Sequence, residues 1–92
     1  MAGVSVDKIA VQSGIGVCRT CIQELQKTSM KLQNSYQQAG ASGWKDQKYS
    51  DLGRLINECC TALNKPVQDL QSCQSTLETM ASTIDEYNDV NM

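Results

Sequence analysis

Histidine and phenylalanine are absent from this chain, and proline and tryptophan occur once each. Without histidine there is no Ser/His or Cys/His pair to activate a nucleophile. No glycine-rich loop between a strand and a helix offers a phosphate cradle. Most carboxylates lie off the apolar rows described below, where a solvated helix face accounts for them. Enzymatic activity is not expected, and neither is a cofactor. No apolar run reaches the ~18 residues that a transmembrane helix needs, so a membrane span is not expected. The amino-terminal stretch has neither a basic patch nor a continuous apolar segment, which argues against a cleavable signal peptide. Any export would take a leaderless route. Aromatics make up 4% of 92 residues, too few for a thick globular core, so one small domain is expected.

What is present is periodicity. Val11, Ile15, Cys18, Ile22, Leu25, Ser29, Leu32, Tyr36 and Ala39 recur at alternating steps of four and three. Tyr49, Leu52, Ile56, Cys59, Leu63, Pro66, Leu70, Cys73, Leu77, Met80, Ile84 and Tyr87 do the same. Only Ser29 and Pro66 depart from the apolar set when tyrosine and cysteine are counted in it. A period near 3.5 sustained this long marks helices packed along a seam. Between the tracts lie Gly40 and Gly43, followed by Trp44, and two glycines let the chain double back. The expected fold is all-α, an antiparallel two-helix hairpin. Its first helix is placed over about 5–38, its turn over about 39–45, its second helix over about 46–88 and an acidic tail over 82–92.

The helix ends carry local signals. Ser5 is read as an N-cap, Asp7 favours the positive first turn, and Val4 with Ile9 makes a hydrophobic staple. Gly14 and Gly16 weaken the first helix by about 1 kcal/mol each relative to alanine. Gly43 or Asp46 caps the second helix. Pro66 removes a hydrogen bond and crowds the carbonyl of Ala62, which predicts a bend. The heptad phase is unchanged across it, so no break is expected. Folding about the turn sets positions whose numbers add to about 85 opposite one another. Tyr36 then faces Tyr49, Ile22 faces Leu63 and Ile15 faces Leu70, leaving roughly the last ten residues as an overhang that the bland reading treats as a frayed end.

Beside the seam runs a second row. On the first arm it holds Ala10, Gly14, Val17 and Cys21; on the second, Gly53, Cys60, Val67 and Ala81, with Leu55 and Ala62 on the other shoulder. Small residues let backbones approach, and a stripe wider than one helix can cover implies further helices. Assembly into a four-helix bundle follows, as a homodimer or as a heterodimer with another helical hairpin.

Five cysteines are the remaining chemistry-bearing residues. Cys18 and Cys21 form a C-x-x-C, and Cys59 with Cys60 completes a set of four thiols able in principle to hold zinc. In the register above, Cys18 lies opposite about residue 67 and Cys59 opposite about residue 26. That mismatch is on the order of 10 Å along the axis, too far for a shared metal or for a disulfide between the arms. Cys18, Cys59 and Cys73 are therefore read as small seam hydrophobes, with inter-subunit bridging through Cys21 or Cys60 as a lesser alternative. Unpaired thiols in odd number point to synthesis in a reducing cytoplasm.

The net charge of −2 hides a contrast between the arms. Residues 1–40 carry four cations and two anions, a balance of +2; residues 41–92 carry four cations and eight anions, a balance of −4. Opposite signs favour antiparallel pairing slightly, at about 0–1 kcal/mol for each exposed pair. No basic face invites nucleic acid.

A short chain of two helices with its one tryptophan in the turn resembles the WXG superfamily of small type VII secretion proteins. The likeness rests on Gly43, Trp44, Asp46 and Tyr49, where a turn tryptophan is followed by an aromatic at the start of the second helix. It implies antiparallel dimers that are four-helix bundles and a role as substrate or targeting partner of the type VII machinery, possessed of no catalytic residues. The cargo could include the helical N-terminal domain of a toxin. The family glycine two residues after the tryptophan is Asp46 here, which marks a divergent, WXG-like accessory member. The family export signal, a tyrosine followed four residues later by an acid, is degenerate: Tyr87 is followed by Asn91. The resemblance thus implies a cytoplasmic protein that leaves the cell only in company. Trp44 has a second reading as a plug stacked on Tyr36 and Tyr49, compatible with recognition. The rival functions are a cytoplasmic adaptor or scaffold with no link to export, and a thiol or metal module built on Cys18 and Cys21.

Overall fold

The computed structural model describes Ala2–Val90, and it is all-α: α1 (Ala2–Ala41), α2 (Gln47–Ala62) and α3 (Asn64–Val90), with no strand among the described residues. Leu63 alone separates α2 from α3. Its backbone is still in the right-handed helical region (φ −75°, ψ −14°), and its N–H donates to the Cys59 carbonyl at 3.1 Å. Val67 resumes the ladder by donating to Leu63 at 3.2 Å. Pro66, between them, has no N–H to offer Ala62. The two segments are one helix, bent where the proline deletes a rung, as its position in the sequence predicts.

The start of α1 differs from expectation. Ser5 lies inside the helix and not at its cap, because α1 already runs from Ala2. Each further residue adds a backbone hydrogen bond to an existing helix, and this outweighs the preference for stopping at one serine.

Contacts divide the chain into two compact units, Gln23–Gln68 and Met1–Ile22 with Asp69–Met92. In the unit Gln23–Gln68, Tyr36 of α1 stacks on Tyr49 of α2, ring centroids 4.3 Å apart and planes 10° from parallel. A Cβ built on Gly53 would lie 2.5 Å from Cζ and Oη of Tyr36, so only glycine admits that ring. Further along, the Cys60 thiol donates to the Ser29 carbonyl at 3.7 Å. The neighbours therefore run antiparallel.

In the unit Met1–Ile22 with Asp69–Met92, α1 and α3 lie side by side. A Cβ on Gly14 would stand 3.1 Å from Cδ1 of Leu77. Lys8 forms an ion pair with Asp85. This unit holds the buried apolar side chains Val11, Cys18 and Ile22.

These pairs correct the expected register. Tyr36 with Tyr49 fits a sum of 85, but Ser29 with Cys60, Gly14 with Leu77 and Lys8 with Asp85 all exceed it. Helical side chains lean toward their own N-terminus. In an antiparallel pair the two leans are opposed: a residue of α1 leans away from the turn and meets a residue that leans toward it, whose own Cα lies farther along the returning chain. The expected overhang is affected as well. Asp85 is paired, and α3 continues to Val90.

Candidate interaction site

The turn is built from complementary helix stops. Gly43, at φ 98°, takes the left-handed conformation that other residues avoid. Its N–H donates to Gly40 at 3.0 Å, while the Trp44 N–H donates to Ala39 at 3.4 Å. That pattern of a 5→2 and a 6→1 bond is a Schellman motif closing α1. Asp46 then opens α2. Its backbone is extended (φ −82°, ψ −176°), and its carboxylate accepts from the Tyr49 N–H at 3.0 Å. The same oxygen accepts from the Trp44 indole Nε1–H at 2.7 Å. Asp46 is thus both the cap of α2 and the tether of the tryptophan, two tasks a glycine at this position would leave undone.

The aromatic cluster follows from that tether. Trp44 tilts against Tyr49 with ring centroids 5.7 Å apart and planes at 51°. Tyr49 lies between Trp44 and Tyr36, and its hydroxyl donates to the Tyr36 carbonyl at 3.2 Å. Burial, and then the contact with Tyr36, pushes the Tyr49 phenol above its usual range. Gly40 makes room for the Tyr49 ring, since a Cβ there would collide with its hydroxyl. Trp44 is still 40% exposed, so one part of the indole is packed and the other faces solvent.

The second row of small residues is largely occupied within the chain. Gly14 faces Leu77 and Gly53 faces Tyr36, while Cys60 meets Ser29. Cys21, Val67 and Ala81 are half-buried, whereas Ala10 and Val17 are exposed. The covered stripe on α2 and α3 consists of Tyr49, Ile56, Leu63, Leu70, Leu77 and Ile84 together with this small row. Most of the alternate heptad positions are uncovered instead. In the unit Gln23–Gln68 these are Cys59 and Pro66, joined by exposed Leu55 and by Met30 on α1. In the other unit they are Cys73, Met80 and Tyr87 on α3, with Ile9 and Val17 exposed on α1. The sequence pattern assigned this row to the seam. The small side chains at Gly53 and Cys60 allow a closer approach, and Tyr36 and Ser29 of the facing helix rest on them. Of the degenerate export signal, Tyr87 is exposed on α3 and Asn91 lies outside the described residues.

The cysteines are free thiols. Among the described residues, no three metal-binding side chains are grouped to hold an ion. Cys18 is buried, and its neighbour across the helices is Cys73, a contact that the sum of 85 did not foresee. Burial pushes the Cys18 thiol above its ordinary range, and the adjacent Cys73 thiol adds to the effect, followed by Cys21. Among the described residues no helix is long and apolar enough to cross a membrane. The chain matches no protein-family model, no curated protein and no solved structure.

Proposed function

We propose that this chain is a non-enzymatic partner protein of a type VII secretion pathway. It would dimerise with a second helical hairpin, a copy of itself or a cargo-bearing relative, and form a four-helix bundle. One observation carries the reading. The apolar pattern is long enough for a bundle, yet few side chains are buried and most of one row of it stays exposed. Exposed apolar rows of this kind are interaction surfaces in soluble proteins. The connection to export rests on the resemblance at Gly43, Trp44 and Tyr49, and it is supported by an indole held in one orientation with an exposed face. Since Asn91 stands where the acid of the export signal is expected, the chain leaves the cell as part of a complex whose other member supplies that signal. A cytoplasmic adaptor would use the same exposed row but would not depend on Trp44.

The test has two parts. Light scattering at micromolar concentration should find the chain self-associated, or associated once a partner hairpin is added. A well-folded monomer that stays monomeric with every candidate hairpin overturns the assembly. Trp44→Ala should then keep the helicity and the complex but reduce export of that complex. Its stability loss should stay within about 1–3 kcal/mol, the range for a large apolar side chain. Unchanged export would assign Trp44 to packing alone and favour the adaptor.

A further inference from the structure

We propose that Cys18 and Cys73 form a reversible intrachain disulfide that clamps α1 to α3. The placement rests on the register of the unit that contains both residues. Gly14 meets Leu77, and one helical turn farther along each helix the sequence reaches Cys18 and Cys73. The ion pair of Lys8 with Asp85 continues the same antiparallel alignment in the other direction. Gly14 admits the Leu77 side chain, whose Cδ1 would lie 3.1 Å from a Cβ placed there. Helix axes about 8–10 Å apart, each with Cα atoms at a radius of about 2.3 Å, leave roughly 3.4–5.4 Å between facing Cα atoms. A disulfide accepts Cα separations of about 4.4–6.8 Å, which overlaps the upper part of that range, and the exposed Cys73 lies off the line of closest approach, where the separation is larger. The electrostatics agree, since the two thiols are direct neighbours.

The two cysteines differ in access, and this orders the chemistry. Cys73 is exposed and Cys18 is buried. The oxidant is a low-molecular-weight disulfide such as oxidised glutathione. The Cys73 thiolate attacks one of its sulfurs, forming a mixed disulfide and expelling one thiolate. The Cys18 thiolate then attacks the Cys73 sulfur and expels the second. Two cysteine thiols lose two protons and two electrons, and the oxidant is reduced to two thiols. The raised Cys18 thiol slows the second step at neutral pH, and that step quickens as the pH rises. Excess small thiol reverses both steps.

Oxidised glutathione in modest excess, followed by mass spectrometry of the intact and trypsin-digested protein, tests this. Cleavage after Arg19 separates Cys18 from Cys21, and a Cys59→Ser, Cys60→Ser double variant leaves Cys73 as the one thiol of the C-terminal peptide. The expected product is a single chain lighter by two hydrogens, with a Cys18 to Cys73 link. Because the bridge closes a long loop, its melting temperature should rise by roughly 10 °C. Cys73→Ser, at an exposed position, should fold normally and lose both the link and the rise. Three results would overturn the proposal: a link between Cys18 and Cys21, glutathione retained on Cys73 beside a free Cys18, or bridges formed only between chains.

Discussion

The two compact units are made from one heptad pattern but are held together by different means. The unit Gln23–Gln68 contains none of the chain's buried apolar side chains; it is organised by glycines, two helix caps and a tyrosine stack. The unit of Met1–Ile22 with Asp69–Met92 has Val11, Cys18 and Ile22 of α1 buried, and an ion pair of Lys8 with Asp85. Where the chain reverses, directional bonds fix the geometry; where the helices are far from the turn, burial must do so. The contrast shows that a regular hydrophobic repeat states only that helices will pair. The residues beside the repeat decide what secures each stretch.

The comparison can be broken most severely at Ile22. Ile22→Ala removes much of a buried side chain, and losses of about 2–4 kcal/mol are usual for such truncations. Hydrogen exchange should quicken most in residues 7–22 and 69–87, and less around the turn. Equal loss of protection in both units would show that they do not differ in the way described. A smaller effect is expected in the other unit from Asp46→Ala. Loss of the cap costs about 1 kcal/mol, and the freed indole should show an altered tryptophan emission. An unchanged spectrum would mean that the bond from Trp44 to Asp46 does not order the ring.

The smallest effect concerns pH, and it sharpens the contrast because each unit contributes one group. The Cys18 thiol and the Tyr49 phenol are both pushed upward in the folded chain, each mainly by burial. The folded state therefore holds these protons more tightly than the unfolded state does. Their contribution is fully present below the ordinary values, about 8.5 for a thiol and about 10 for a phenol, and is lost as pH rises beyond them. Denaturant midpoints should be flat with respect to these groups near neutrality. They should decline first through Cys18 and then, at higher pH, through Tyr49. Cys18→Ala should remove the earlier decline and leave the later one.

Much of the fold was legible because its signals are local. Alternating steps of four and three predict helices, Gly40 and Gly43 mark the reversal, Asp46 was one of two candidates to cap the second helix, and Pro66 marks the bend; the other candidate, Gly43, closes α1 instead. The register was less so. Extrapolating from the turn matched Tyr36 with Tyr49, where the chain itself enforces proximity, and drifted wherever side-chain lean and residue size set the contact. The clearest consequence is Cys73, read as a small seam hydrophobe and found exposed beside Cys18. The second task of Asp46, its bond to the indole, was not foreseen either, since no sequence spacing reports where an indole N–H points.

The sequence by itself determined that the chain is helical, where it turns and where it bends, because backbone hydrogen bonding, caps and proline act within a few residues. Only the tertiary structure decided which apolar row is covered and which is left exposed. Neighbouring rows on a helix are separated by one residue, and the exposed Met80 and Cys73 are no less apolar than the half-buried Ala81 and Gly53, so hydrophobicity does not choose between them. The choice falls to fit: Tyr36 settles over Gly53 and Leu77 over Gly14, where no side chain stands in the way.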